Sequence, residues 1–359
     1  MPFPTHTALS TFPFSNGAST TTSSFSLIQH TKEENGKASS VSFHILPPTL
    51  SPPPLPLNSK NPFNFIIKYL FMGAGISLST SNKYDDDDGD GRPGLGDIPE
   101  SCISRLLMNL DPPEICQLAR VNRAFHRASS ADFVWESKLP QTYKFLAKKV
   151  FAQHNIIASM TKKDIYTKLC LPNRFDAGTK EVWLDKCSGQ ICLFMSSKSF
   201  NITGIDDRRY WNYIPTEESR FKSVAYLQQM WWVEVVGELE FEFPVGSYTL
   251  FFRLQLGMAS KRKGRRVCNV DQVHGWDIKP VRFQLSTSHG HLSHSESYLT
   301  SPGEWIHYRV GDFIVDRPNE PTKLKFSLAQ IDCTHTKGGL CIDGAIICPT
   351  QFSHKIILF

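Results

Sequence analysis

Few side chains in this sequence stand at spacings that catalysis uses. There is no Gly-x-Ser-x-Gly turn for an acyl nucleophile, no His-Glu-x-x-His zinc pair, no Gly-x-x-x-x-Gly-Lys-[Ser/Thr] phosphate loop and no strand-linked Gly-x-Gly-x-x-Gly. His289, His291 and His294 could approach a metal, but Ser and Gly surround them. No ordered fourth ligand is evident, so a mobile loop without metal is expected there. Cys333, His335 and Cys341 also lack zinc spacing. Asp85 to Asp88 and Asp90 lack the terminal Glu of a calcium loop and read as a solvated acidic linker. No cofactor is expected. Met72-Gly73-Ala74-Gly75-Ile76-Ser77 fits the N-myristoylation pattern, with Gly73 as the acceptor. It acts only if translation starts at Met72, because the acylating enzyme needs a free N-terminal glycine. One acyl chain then gives only reversible membrane binding. Lys261 to Arg266 is dense in basic residues and could touch phosphates or address the nucleus. Lying between two strands without interleaved aromatics, it reads instead as a solvated hairpin tip. Asn201-Ile202-Thr203 is a glycosylation sequon with no meaning in a cytosolic strand.

Stepping outward to the elements that must hold such residues, 359 residues correspond to about two domains and a tail. Ten of the 23 prolines lie between Pro2 and Pro62, whereas all seven tryptophans lie between Trp135 and Trp305, so the folded mass starts late. Residues 1 to 71, rich in Ser, Thr and Pro, cannot bury enough apolar surface to offset chain entropy, and disorder is expected through residue 94. They contain no Arg, unlike a transit peptide. A net charge of +5 is too mild to imply nucleic acid. Nine cysteines without a CxxC pair indicate a reducing compartment, the cytoplasm or nucleus. The most apolar N-terminal stretch, Phe63 to Leu78, is broken by Asn64, Lys68 and two glycines, so no stable membrane insertion is expected.

From Leu95 to about Leu171 the apolar spacing is helical. Ile98, Ile103, Leu106, Leu107 and Leu110 recur behind Pro99, and Asp111 caps a second helix opened by Pro112-Pro113-Glu114. Ile115, Leu118, Ala119 and Asn122 form its stripe, extended by Val121 and Phe125, and Phe133 and Trp135 close the unit. Further helices are predicted over 142–153 and, capped by Thr161, over 162–171. After Thr179 the period changes to two. Strands are predicted at 181–184, 190–194, 233–243, 247–256, 281–286, 305–315, 322–331 and 340–348. Many short strands without intervening helices mean an antiparallel β-sandwich or jelly roll.

Both halves resemble known families. Leu95-Gly96-Asp97-Ile98-Pro99-Glu100, Ile103, Leu106-Leu107, Leu110-Asp111-Pro112-Pro113-Glu114-Ile115, Leu118-Ala119, Val121-Asn122-Arg123, Phe125 and Trp135 resemble an F-box. The β part resembles the phloem protein 2 family of plant lectin-like domains. Lys180 to Asp185, Phe200 to Trp211, Trp231 to Val235 and Ile331 to Leu340 carry that likeness. The order of the two looks like the A-type members of that plant family. The resemblance implies an α+β multidomain chain: a three-helix F-box over 95–140, a helical linker over 141–174, a jelly-roll-like β-sandwich of lectin type over 175–350, and a tail over 351–359.

It also implies a non-catalytic subunit of a ubiquitin ligase that binds a Skp-type adaptor and its cullin complex and recruits a target, a protein or glycoprotein. The adaptor-binding candidates are Leu95, Ile98, Pro99, Leu106, Leu107, Leu110, Pro112, Ile115, Leu118, Val121 and Trp135. Of these, Pro99, Leu107, Pro112, Ile115 and Leu118 are the first choices, although the pattern does not separate partner contacts from core. The alternative implied by the lectins is binding of N-acetylglucosamine-containing glycans. Trp211, flanked by Tyr210 and Tyr213, matches one of two tryptophans used there, while Gly204 stands at the position of the other. Trp211 reads equally as a sandwich-core aromatic. Trp231 and Trp232, on opposite faces of a strand, read as structure.

Overall fold

The computed structural model describes residues 98–151, 159–262, 265–318 and 320–356. The expectations placed on residues 1–94, Gly73 and Leu95 lie outside these. Six short helices come first. α1 (Glu100–Leu107) begins directly after Pro99. α2 (Pro112–Leu118) begins with two prolines, where a missing N–H costs nothing, and the Glu114 carboxylate accepts from the Asp111 N–H at 3.1 Å. α3 (Arg123–Ala128) is capped by Asn122, whose Oδ1 accepts from the Phe125 N–H at 2.9 Å. α4 (Asp132–Glu136) adds a turn to the three helices that the resemblance implies. α5 (Tyr143–Val150) and α6 (Lys162–Leu169) follow, the latter capped by Thr161 as expected. The Lys162 N–H also donates to Asp132 Oδ1 at 2.9 Å, so α4 helps to cap α6 across 30 residues of chain.

Seventeen strands, numbered along the chain, occur among the described residues. One sheet holds β1 (Asn173–Phe175), β2 (Lys180–Leu184), β3 (Ile191–Ser196), β5 (Trp211–Pro215), β6 (Ser223–Leu227), β9 (Gly246–Leu256), β14 (Trp305–Val315) and β17 (Leu340–Pro349). β17 is its axis. β9 pairs along one of its edges, while β3 and β6 share the other. The second sheet runs β13 (Leu292–Ser297), β12 (Val281–Thr287), β15 (Thr322–Gln330), β8 (Val233–Phe241) and β4 (Asn201–Ile202). Two short ladders complete the set: β7 (Gln229–Met230) with β16 (Lys337–Gly338), and β10 (Met258–Arg262) with β11 (Arg265–Asn269). The segment around His294, expected as a mobile loop, is the edge strand β13. Its polar, half-exposed side chains give no apolar alternation to read. β3 and β17 are buried on both faces, so they read as continuous apolar runs.

The helices do not close a core of their own. Ile103, Leu107, Ile115, Leu118, Phe125, Val134 and Trp135 belong to one apolar cluster that continues through Leu146, Ile165, Tyr166 and Leu169 into Val182, Leu184 and Ile191 of the sandwich. Trp135 is the hinge of this continuity. Its Nε1 donates to the Ser129 carbonyl at 2.6 Å, and its ring lies 5.3 Å from that of Tyr166. The Tyr166 hydroxyl in turn donates to the Asp185 and Lys186 carbonyls at 3.4 and 3.3 Å, where β2 turns toward β3. At the end of that turn Gly189 has φ +68°, and a Cβ there would lie 2.5 Å from the Lys138 carbonyl. Only glycine permits so close an approach.

The outer face of the β17 sheet carries a buried polar layer beneath residues 216–222. Arg253 on β9 bonds the Asp343 carboxylate on β17, donates to the Glu218 carbonyl at 3.1 Å, and stacks 4.4 Å from the Trp305 ring. Trp305 Nε1 donates to Glu218 Oε2 at 2.8 Å. Burial raises the pKa of the Asp343 carboxyl, and Arg253 opposes that rise. His307, the register partner of Arg253, is pushed down to about 4 by burial and then by the Arg253 charge.

Trp135→Ala is expected to cost about 3–5 kcal/mol, as large aromatic truncations do. Helical ellipticity and sandwich tryptophan emission should then be lost in a single urea transition; two separate transitions would contradict a shared core. For His307 the folded pKa lies below the unfolded value of 6.5, so the native state binds fewer protons. Its contribution is complete above about pH 6.5 and is lost as pH falls toward about 4. Asp343, shifted upward, acts with the opposite sign. The urea midpoint of wild type minus that of His307→Gln should therefore fall over this window, and a flat difference would refute the assignment.

Candidate functional site

The helical unit offers a specific set of apolar groups to solvent. Leu106 is 42% exposed and Val121 43%, Met108 and Phe133 are exposed as well, and Pro99 and Pro113 lie at the surface. The first choices from sequence divide differently. Leu107 and Ile115 are fully buried, and Leu118, Pro112 and Trp135 are also inside. Leu107, Ile115 and Leu118 are buried in the apolar cluster, where they hold the unit together and present no surface to a partner in this arrangement. Ile98 and Leu110 are half-buried against the same cluster. Pro99, Leu106 and Val121 remain as candidates with accessible surface.

The lectin-like candidates also separate. Trp211 is 1% exposed, with its Nε1 donating to the Thr203 carbonyl at 3.1 Å. It has no ring face for a sugar, which corrects the platform reading in favour of the core aromatic. At Gly204 (φ +80°) an added Cβ would meet Met230 Cε at 2.9 Å, so the second half of a platform has no room in this arrangement. Tyr210 is half-buried against the core. Tyr213 is exposed on β5 with Lys198 Nζ 5.6 Å from its ring centroid.

The tryptophans that do reach solvent are Trp231 at 57% and Trp232 at 46%. The expectation that they lie on opposite faces of one strand fails because the chain bends between β7 and β8 exactly at this pair's position, freeing both rings. The bend is held by a buried cation. Lys337 is fully enclosed, and its Nζ donates to the Trp231 carbonyl at 2.5 Å and to the Asp332 carbonyl. Burial lowers its pKa. Around it, Trp276 Nε1 donates to the Gly338 carbonyl at 2.7 Å, while Gln330 Nε2 donates to the Gly275 and Lys279 carbonyls at 3.4 and 3.3 Å. Gly275 and Gly338 leave no space for a side chain: a Cβ would fall 2.2 Å from the Thr336 carbonyl and 2.4 Å from the Gln228 carbonyl, respectively. Sequence reasoning missed this assembly, since a lysine between threonine and glycine carries no signal of burial.

Among the described residues no group of His, Cys, Asp and Glu could hold a metal ion. His335 instead bonds the Gly275 carbonyl at 3.0 Å, which is a structural contact.

Comparison with known proteins matches residues 95–140 to the F-box-like family and residues 190–349 to phloem protein 2. The Arabidopsis thaliana F-box protein PP2-A13 is 57% identical over 288 residues, spanning 80% of this chain and 99% of that protein. F-box protein PP2-A11 of the same plant is 52% identical over 290 residues, spanning 80% and 99%. F-box protein PP2-B10 is more distant, 37% identical over 143 residues that span 39% of this chain and 50% of that protein.

Replacing Lys337 with Met keeps the apolar stem but leaves two buried carbonyls without a donor, at a cost of about 1–3 kcal/mol each. The expected result is a lower melting temperature with tryptophan emission altered in the native baseline. Unchanged emission and stability would show that Trp231 does not depend on the clamp.

Proposed function

Because this chain belongs to the A-type plant F-box proteins with a C-terminal phloem protein 2 domain, we propose that it is the target-recognition subunit of a Skp-cullin-F-box ubiquitin ligase. In this reading α1 to α4 bind the Skp-type adaptor, and the sandwich selects the protein to be modified. The chemistry occurs at the cysteine of the conjugating enzyme, and this chain contributes proximity. In this reading it acts in the cytoplasm or nucleus, the reducing compartments that nine cysteines without a CxxC pair suit.

The observation that carries the reading is the shared core. An F-box fused through Trp135 and Tyr166 to a recognition domain holds whatever the sandwich binds at a fixed distance and orientation from the adaptor. A flexible tether would only raise local concentration, whereas a rigid one also limits which lysines can be reached. Glycan recognition, the second reading, loses its main support with Trp211 in the core.

Co-purification with the Skp-type adaptor tests the proposal. Leu106→Asp with Val121→Asp alters exposed side chains, so adaptor binding should fall by at least about tenfold, at an unchanged melting temperature. Leu107→Asp, by contrast, should unfold the protein, because it buries a charge. Full adaptor retention by the folded double variant would sink the assignment of this surface and, with it, the ligase reading.

A further inference from the structure

The face of the second sheet that points to solvent changes character along its length, and the register shows how. Lys323 on β15 stands opposite Glu240 on β8, and Lys325 opposite Glu238, with Nζ to carboxylate distances of 3.8 and 3.4 Å. Two register steps further, Glu234 stands opposite Ala329, with Val236 and Ser327 between. Among the described residues no cation pairs with Glu234. The ladder then ends at Val233 and Gln330, and the next residues on the outward side are Trp232 and Ile331, the latter 58% exposed. Lys337 holds these two strand ends together by bonding the Trp231 and Asp332 carbonyls, so Trp232 and Ile331 are kept side by side. Trp231 and Ile278 add exposed apolar surface on adjoining bends.

The patch lies at the far end of the sandwich from the helices. Phe241, at the other end of β8, packs against Phe145 of α5 at 5.4 Å, and nine residue steps of strand separate it from Trp232, about 30 Å. Exposed tryptophans on a braced scaffold are the groups that dominate protein interfaces, because little side-chain freedom remains to be lost on binding. The cross-strand position that carries Lys at its neighbours carries Ala here, and Arg282, beyond Ala329 in the same row, pairs with Glu296 at 3.5 Å, so among the described residues the Glu234 carboxylate beside the apolar patch has no cross-strand counter-charge.

We propose that Trp231, Trp232, Ile331 and Glu234 form the target-docking surface, and that it takes a protein segment presenting a bulky apolar side chain next to Lys or Arg. The apolar group seats on Trp232 and Ile331, and the cation fills the place opposite Glu234 that the sheet itself leaves to Ala329. The inference deepens the receptor reading and rests on it.

The test uses the full chain co-purified with its Skp-type adaptor and three sets of fluorescent synthetic peptides of equal length. Each peptide carries one central Leu or Trp, flanked by Lys/Arg, by Asp/Glu or by Ser. Anisotropy should rank the basic set first, with affinity falling as salt rises. Trp232→Ala and Ile331→Ser should each weaken the basic set about tenfold or more, and Glu234→Lys should reverse the preference toward the acidic set. All three side chains are exposed, and melting curves and retained adaptor verify that each variant is folded. No preference for the basic set, or equal binding by Trp232→Ala, overturns the docking surface. So does chito-oligosaccharide binding that Trp232→Ala abolishes while peptides remain unbound. Loss of adaptor from the unaltered protein is a different failure, that of the receptor reading, and the same preparation reveals it.

Discussion

Everything in this molecule depends on an apolar face that the helical unit cannot cover by itself. Four short helices between Glu100 and Glu136 bring Ile103, Leu107, Ile115, Phe125 and Trp135 together but do not enclose them. So short a unit has too much surface for its volume, and the missing cover comes from α6 and the β2–β3 turn. The polar groups at the seam are matched as the apolar ones are: the Trp135 indole finds the Ser129 carbonyl, and the Tyr166 hydroxyl finds two turn carbonyls. The helical module thus obtains its cover from its own chain, and its outward residues, Leu106 and Val121 among them, stay exposed.

Among the charges that the sandwich buries, two sites differ in kind. Arg253 and Asp343 neutralise each other beneath residues 216–222. Such a pair gives little net stability but fixes one arrangement of its neighbours, because either charge alone would be very costly. Among the described residues no carboxylate forms an ion pair with Lys337. It satisfies two backbone carbonyls and thereby ties together strand ends whose ladder has already run out. Gly275 and Gly338 allow the bends to approach closely enough for that to happen. The outcome is a loop end that is rigid yet displays two tryptophans.

Much of this was legible in the residues. Prolines at 99, 112 and 113 and caps at Asp111 and Thr161 mark the helix starts within a residue or two, because capping is local chemistry. The alternation of Val233 to Phe241 marks a half-buried strand whose long axis orders the second sheet. Short polar strands such as β13 lack that alternation and were missed, whereas β17, buried on both faces, was found at 340–348 from its continuous apolar run. The helical stripe identified the apolar residues of the F-box but not their orientation, so Leu107 and Ile115 were as plausible as contacts as Leu106 and Val121.

The residues alone fixed the order of two modules, helical and then β, since these follow from periodicity, caps and turn chemistry, while the F-box resemblance supplied the class of the first. Only the tertiary structure decided which aromatic is usable. Trp211 lies in the motif that drew attention yet is sealed in the core, while Trp231 and Trp232 looked like strand residues yet stand in water. The reason is that exposure is set by what covers a residue from elsewhere in the chain. Here it is a lysine 105 positions beyond Trp232 that bends the strand start outward, a relation that no local window contains.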